Sequence, residues 1–217
     1  MRELGRYFWE RRSEILSLTG EHVVLVLLSI AAAVAIGVPL GVLLTRTPRL
    51  ARPILGLAGV LQTVPSLALF GFLIPLPLVG GIGPRTAIVA LVVYALLPIL
   101  RNTHAGIRSV DPAVGEAADG LGMTARQRLW WVEIPLSLPV VLGGIRIATV
   151  VAIGIATIAA AVGAGGLGVL IYRGIATVDN RLILAGAVPA ACLAVAADVL
   201  LGAAEKRWSG VRPEAVR

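Results

Sequence analysis

The sequence predicts an all-α protein that crosses a membrane about five times. Its composition is the first reason, because 58% of the 217 residues are hydrophobic, only 14% are charged, and the mean hydropathy is +0.92. Soluble domains are roughly 45–50% apolar and about 25% charged. The second reason is that the apolar residues fall in long runs, and about 20 such residues span a bilayer as a helix. Lipid or other subunits must therefore solvate the apolar excess, and little chain remains for a soluble domain.

Five apolar runs are predicted to form the spans, and they lie at 22–44, 54–76, 86–101, 136–161 and 182–202. The first run is longer than the roughly 7–15 apolar residues of a signal peptide, so we interpret it as a retained span. Residues 22–205 are thus expected to form one transmembrane domain. Residues 1–21 mix aromatic and charged side chains, which is typical of an amphipathic helix at the membrane interface. Residues 206–217 are expected to form a tail.

The distribution of basic residues predicts the orientation. The 45–53 and 101–135 connections and the segment after residue 202 hold eleven of the nineteen basic residues. Lys and Arg concentrate in cytoplasmic connections, so these segments and the C-terminus are expected in the cytoplasm. The four arginines that precede the first span disagree with this assignment.

Several kinds of chemistry are not supported by the residues. Lys206 is the only lysine, and no P-loop surrounds it, so the chain is not expected to hydrolyse ATP in that manner. His22 and His104 have no neighbouring metal-ligand cluster, so no metal or cofactor is predicted, and both are expected to be interfacial or loop histidines. The arginines lie between apolar runs, which argues for a lipid membrane rather than nucleic acid as their partner.

A glycine-rich segment formally matches a dinucleotide-binding pattern. It runs from Gly163 to Gly168 and follows an apolar run rather than a strand, so nucleotide binding is rejected. We expect a tight turn there, leading into a short apolar segment at 167–176. Gly37 and Gly41 are four residues apart in the first span, which favours close packing of another helix.

Polar residues interrupt the second span, and we assign them as candidates for the translocation path. They are Gln62, Thr63, Pro65 and Ser66. Such residues are tolerated at membrane depth where they face protein or a water-filled path. An ordinary proline kink remains the alternative.

Arg146 and Asp198 are the two clear charges within predicted spans. A charge inside the membrane usually has a partner, so the two are predicted to pair. In the alternative, Arg146 reaches towards the interface and Asp198 caps a helix or contacts another chain.

The 111–135 connection is predicted to form two short helices. Asp111 suits an N-cap, Gly120 and Gly122 end the first helix, and Thr124 with Gln127 fits a capping box for the second. Pro135 is expected to follow the end of that second helix. A side chain at Gly122 is expected to obstruct the turn between the helices. The residues alone leave open a docking element for a cytoplasmic partner and a solvated loop.

The same connection carries a recognisable motif. The residues Glu116, Ala117, Ala118 and Gly122, followed by Val-Glu-Ile-Pro ending at Pro135, resemble the EAA loop of ABC importer permeases. The family ends this loop in Ile-x-Leu-Pro, so the two apolar positions depart mildly from it. Other segments are similar to the osmoprotectant branch of that family, namely 62–69, 94–103, 144–146 and 163–168.

The resemblance implies a type I importer permease fold in a bacterial or archaeal cytoplasmic membrane. It further implies a subunit that is no enzyme itself and imports glycine betaine, carnitine, choline or proline. A second permease, identical or homologous, would complete the path, a dimer of ABC ATPase subunits would grip the EAA loops, and an extracytoplasmic binding protein would deliver substrate. Glu116, Ala117, Ala118, Gly122 and Pro135 would form the coupling loop. A methionine-type permease shares these features and stays an alternative, as does an ion-coupled carrier.

The lack of a P-loop generates a testable prediction. The purified chain, reconstituted alone, is expected to hydrolyse no ATP and to transport no solute, because it has no lysine in a phosphate-binding loop. Phosphate release and solute uptake in proteoliposomes measure this. Robust ATP-dependent uptake by the chain alone would contradict the interpretation.

Overall fold

The computed structural model describes residues 2–77 and 79–209, with side chains from residue 6 onward, and all regular secondary structure in those ranges is helical. The helices are α1 (Arg2–Glu10), α2 (Arg12–Arg46), α3 (Pro48–Thr63), α4 (Ser66–Leu73), α5 (Pro84–Arg108), α6 (Pro112–Gly120), α7 (Ala125–Arg128), α8 (Ile134–Ile158), α9 (Gly168–Thr177) and α10 (Asn180–Ser209). A π-helical turn, Leu129–Glu133, joins α7 to α8, and a 3₁₀ turn, Ala159–Val162, follows α8. The predicted all-α class is confirmed.

Four continuous helical segments are long and apolar enough to cross a membrane. They are Arg12–Arg46, Pro84–Arg108, Ala125–Val162 and Asn180–Ser209. Helices α3 and α4 form a fifth candidate, but they are bent by 101° relative to each other. The predicted number of about five spans is confirmed when this pair counts as one span. The prediction of one run at 54–76 is corrected to two helices, because Pro65 has no N–H to continue the helix.

The N-terminal part of the chain continues into the first span without a break at residues 21 and 22. Helix α2 already begins at Arg12, and the N–H of Ile15 bonds to the carbonyl of Arg11 at 3.0 Å. The guanidinium of Arg12 lies 4.5 Å from the ring of Trp9 in α1. Placement of α1 at a membrane interface stays a prediction. Residues 210–217 of the predicted tail lie outside the described residues.

The spans form a chain of packed neighbours in which α5 contacts both α2 and α8, and α10 packs on α8. Small residues allow the closest approach. A Cβ atom added to Gly37 would lie 2.9 Å from Ile99, and one added to Gly41 would lie 2.7 Å from Thr103. The predicted close packing at Gly37 and Gly41 is therefore confirmed, and the neighbour is α5.

A turn of left-handed glycines links the 3₁₀ turn to α9. Gly163, Gly165 and Gly166 have φ values of 75°, 82° and 75°, a region that favours glycine. The N–H of Gly166 donates to the carboxylate of Glu21 at 2.9 Å, so α2 holds the turn. The predicted turn and the short apolar segment after it are confirmed.

Neither histidine lies in a loop, since His22 is in α2 and His104 is in α5, so that part of the expectation is wrong. Their placement at the membrane interface stays a prediction. His22 is fully buried, and its Nε2 lies 3.1 Å from the carbonyl oxygen of Ile153. It sits in the bundle because α2 extends ten residues further back than its apolar run, from Arg12 rather than from residue 22. The sequence alone placed this histidine at the end of a span.

Because of the close approach at Gly41, two glycine-to-alanine substitutions in α2 are expected to change stability in opposite directions. Gly41→Ala is expected to lower stability by about 1–3 kcal/mol, because its Cβ would overlap Thr103. Gly20→Ala is the matched control, since a Cβ there meets nothing within 4 Å and alanine favours the helix by about 1 kcal/mol. Thermal unfolding of the purified variants in detergent measures both. Equal unfolding midpoints would contradict the packing.

Candidate coupling site and ion-pair network

Both helices of the 111–135 connection are capped as the sequence predicts. The carboxylate of Asp111 accepts from the N–H of Ala113 at 2.9 Å. Thr124 accepts from the N–H of Gln127 at 3.3 Å, and the amide oxygen of Gln127 accepts from the N–H of Thr124 at 2.8 Å. These bonds satisfy donors that a helix leaves free at its start, so the connection is a defined structure rather than a flexible tether.

Gly122 is required by its backbone and not by crowding. Its φ is 77°, and its N–H donates to the carbonyl of Asp119 at 2.9 Å. A Cβ atom there would meet nothing within 4 Å, so the expected obstruction of the turn is wrong. A residue other than glycine would instead be strained in this left-handed conformation, by roughly 1–2 kcal/mol.

The two alanines of the motif face different ways. Ala117 is exposed beside Glu116, whereas Ala118 is only 4% exposed and packs within the chain. The resemblance implies that both alanines belong to the coupling loop, but of the two only Ala117 lies at the surface. The outer side carries further apolar residues, Val114 and Leu121, of which Leu121 is 78% exposed.

Pro135 does not follow the end of a helix. The chain is helical without interruption from Ala125 to Val162, and Pro135 lies in the first turn of α8. The π turn explains this, because the N–H of Ile134 bonds to the carbonyl of Leu129, five residues back. The missing N–H of Pro135 thus falls where the hydrogen-bond pattern already changes.

A buried carboxylate joins this connection to the first span. Glu133 is 8% exposed and accepts from Arg46, at the end of α2, and from Nε of Arg128 at 3.1 Å. Arg128 also donates to Asp119 of α6 at 2.6 Å. We call Arg46, Asp119, Arg128 and Glu133 the coupling network. Sequence reasoning did not assign it, although one acidic residue at the start of an apolar span is a signal for a partnered charge.

The break between α3 and α4 is tied to α5. Pro98 has no N–H, so the carbonyl of Tyr94 has no helical donor, and the amide of Gln62 donates to it at 3.3 Å. The hydroxyl of Tyr94 donates to the carbonyl of Val64, at the break itself. Of the four candidate path residues, Gln62, Thr63 and Pro65 are exposed on the described chain and Ser66 is half-buried.

Arg146 and Asp198 lie together, joined by two hydrogen bonds. Nε of Arg146 is 2.6 Å from one carboxylate oxygen of Asp198, and Nη2 is 2.8 Å from the other. Glu205, which the sequence reasoning missed, accepts from Nη1 of Arg146 at 3.3 Å. It lies seven residues after Asp198, on the same side of α10, and this spacing is the signal that was available. Arg146 of α8 is therefore held by two carboxylates of α10.

The family follows from the chain's sequence. A model of the family described as "Binding-protein-dependent transport system inner membrane component" matches residues 37–210. The chain belongs to this family. It is therefore a multi-pass membrane component of a transport system, which agrees with its helices.

Two relatives and one solved structure are similar to the chain over most of its length. The chain is 51% identical over 197 residues to the osmoprotectant import permease protein OsmW of Salmonella typhimurium, covering 90% of this chain and 92% of that protein. It is 44% identical to the carnitine transport permease protein OpuCB of Listeria monocytogenes, covering 97% and 94%. The inward-facing MetNI methionine ABC transporter shares its fold, with a TM-score of 0.79, coverage of 88% and 94%, and 24% identity.

The coupling network predicts unequal effects of removing two carboxylates. Glu133→Ala is expected to lower stability by about 2 kcal/mol, because it leaves Arg46 without a carboxylate partner and Arg128 with only the exposed Asp119. Glu14→Ala is the matched control, since Glu14 also lies between two arginines, Arg11 and Arg173, but its side chain is 33% exposed against 11% for Glu133. Its loss is expected to change stability by less than about 1 kcal/mol. Thermal unfolding compares them, and equal shifts would contradict the role of Glu133.

Proposed function

We propose that the chain is the permease subunit of an ATP-driven importer for osmoprotectants such as glycine betaine, carnitine, choline or proline. Family membership supports binding-protein-dependent transport. The functions that the two relatives are named for, osmoprotectant import and carnitine transport, support the class of cargo. The observation that carries the mechanism is the coupling loop, a capped and exposed helix bonded to two spans.

The exposed side of α6 supports docking of an ABC ATPase subunit. Val114, Ala117 and Leu121 recur at helical spacing along α6 and its C-cap, and each is exposed. Exposed apolar side chains in a row favour a protein partner over a purely solvated loop. Glu116 adds one negative charge beside them, which sets the register of docking. In this proposal two ATPase subunits engage the loops of two permease subunits.

The coupling network supports transmission of motion from α6 to the spans. A displacement of α6 moves Asp119, which is bonded to Arg128, and Arg128 holds Glu133 next to Arg46 of α2. The helical segment from Ala125 to Val162 provides a second, direct route into the membrane. ATP binding and hydrolysis in the partner would then alternate the access of the path.

The broken span supports a path for a polar solute. Gln62 and Thr63 lie at the α3–α4 break and are exposed on this chain, where a second permease subunit would enclose them. Cage-like recognition of a quaternary ammonium needs several aromatic faces. Tyr94 is buried and bonded to Val64, and Phe72 and Tyr172 lie on separate helices. In this proposal the extracytoplasmic binding protein therefore supplies most of the selectivity.

The proposal places α6 and the C-terminus in the cytoplasm, where ATP is available. The arginine-rich connections support this orientation. Uptake of labelled glycine betaine and of labelled methionine by the assembled transporter tests the cargo. Methionine uptake without glycine betaine uptake would contradict the cargo while leaving the permease role intact, and dependence on an ion gradient at constant ATP would contradict the ATP-driven mechanism.

Substitutions in the coupling loop test the mechanism. Gly122→Asp is expected to strain the left-handed turn, and Glu116→Lys to reverse the charge at the docking surface. Both are expected to leave membrane abundance unchanged and to reduce uptake at least about tenfold, the equivalent of roughly 1.4 kcal/mol of coupling. The measurements are membrane abundance, retention of the ATPase subunit and substrate-stimulated ATP hydrolysis.

Glu10→Lys is the control for these substitutions, because Glu10 is an exposed acid on α1, far along the chain from the loop, and pairs with Arg6 at 3.1 Å. It should leave uptake near the wild-type level. Normal uptake in both loop variants at normal membrane abundance would contradict the proposed coupling role of the loop.

A further inference from the structure

A basic cleft lies between the start of α3 and the end of α5. It has a volume of about 530 Å³ and is lined by Arg49, Arg52, His104 and Arg108, with Ala51 and Leu55 as its apolar wall. Two separate helices supply the cations, and both helices belong to candidate spans. The cleft shares no residue with the coupling network, and it lies at the start of α3, at the opposite end of that helix from the break near Pro65.

The arginines of the cleft lack compensating charge. Among the described residues, Arg49, Arg52 and Arg108 have no carboxylate within 4.0 Å, whereas Arg46, Arg128 and Arg146 are all paired. Arg49 and Arg52 also lie three residues apart near the start of α3, and the first turn of that helix contains no acidic residue. Like charges at this spacing repel, and cations are unfavourable at a helix N-terminus. An anion in the cleft would relieve both effects.

His104 adds a second unsatisfied group at the same place. Its Nε2 atom is buried and has no hydrogen-bond partner among the described residues. A buried polar atom without a partner is unfavourable by about 1–3 kcal/mol. The cleft thus combines three free guanidinium groups with one unpaired ring nitrogen.

An exposed apolar surface continues from the cleft along α3. Leu57 is 63% exposed and Val60 is 62% exposed, and with Gly56 they lie one to three turns beyond Arg49 and Arg52. A phospholipid has an anionic phosphate followed by apolar acyl chains. The cations at the start of α3, followed by its exposed apolar surface, are complementary to these groups in the same order. A soluble anion would use the cations but not the apolar side.

We propose that this cleft binds the phosphate group of an anionic membrane lipid, with the acyl chains lying along Leu57 and Val60 of α3. Guanidinium groups bind phosphate oxygens through paired, charge-assisted hydrogen bonds, and basic pockets between membrane helices recognise anionic headgroups. Arg108 lies three residues before Asp111, the N-cap of α6. A bound lipid therefore holds the segment that leads into the coupling loop. The proposal does not depend on the transported solute.

Native mass spectrometry of the purified full chain tests the site. The protein is titrated with phosphatidylglycerol and, separately, with phosphatidylcholine carrying the same acyl chains. Replacing Arg49, Arg52 and Arg108 together by Gln is expected to weaken phosphatidylglycerol binding roughly 100-fold, which corresponds to about fivefold for each lost cation. Replacing the same three residues by Lys is expected to keep most of the binding, because the charge remains.

A matched variant separates the site from general charge. Arg85, Arg126 and Arg207 are exposed arginines without a carboxylate partner among the described residues, and their joint replacement by Gln removes the same net charge. This variant should bind phosphatidylglycerol like the wild type. Circular dichroism and thermal unfolding of each variant confirm that it is folded.

Three outcomes would overturn the proposal. The first is equal loss of binding in the two Gln variants, and the second is equal binding of phosphatidylcholine and phosphatidylglycerol by the wild type. The third is displacement of the lipid by millimolar inorganic phosphate or glycine betaine, together with binding of a short-chain phosphatidylglycerol as tight as that of the long-chain lipid. That result would assign the cleft to a soluble anion or to the cargo.

Discussion

One buried carboxylate, Glu133, constrains the structure at the end of the molecule that carries α6. We propose that this end is cytoplasmic. A charge removed from water must be paired, and Arg46 and Arg128 satisfy Glu133 from two different elements. Because Arg128 also holds Asp119, the short helix α6 is fixed relative to α2 and α8 rather than tethered by loops alone. A helix of nine residues is marginal in isolation, so these ion pairs and the burial of Ala118 help to hold α6 in place.

Prolines provide the other recurrent constraint, since each removes a backbone donor inside a membrane segment. At Pro65 the helix breaks, and the hydroxyl of Tyr94 satisfies the carbonyl of Val64. At Pro98 the helix continues, and the carbonyl that lost its donor is satisfied by the side chain of Gln62. Lipid cannot supply these hydrogen bonds, so side chains of neighbouring helices must. The broken span is thereby attached to α5 at the level of its polar residues.

The sequence predicted correctly those features that depend on interactions between residues close together in the chain. The caps of α6 and α7, the glycine turn before α9 and the apolar spans each depend on residues within about four positions of one another, and the structure agrees. The wrong expectations concern how segments meet. Ala118 is buried although Ala117 beside it is exposed, Gly122 is needed for its backbone angle, Pro135 lies inside a continuous helix, and His22 is buried in the bundle.

The sequence by itself determined the helical membrane class, the approximate number of spans, the capped helices of the 111–135 connection and the pairing candidates Arg146 and Asp198, because composition and short-range spacing decide these features. Only the tertiary structure decided that Glu133 joins α2 to α6, that Glu205 shares Arg146, and that the arginines of α3 and α5 meet in one cleft. Arg46 and Glu133 are 87 residues apart in the chain. Contacts over such separations depend on how the helices pack, and no local pattern encodes the distance between two helix ends.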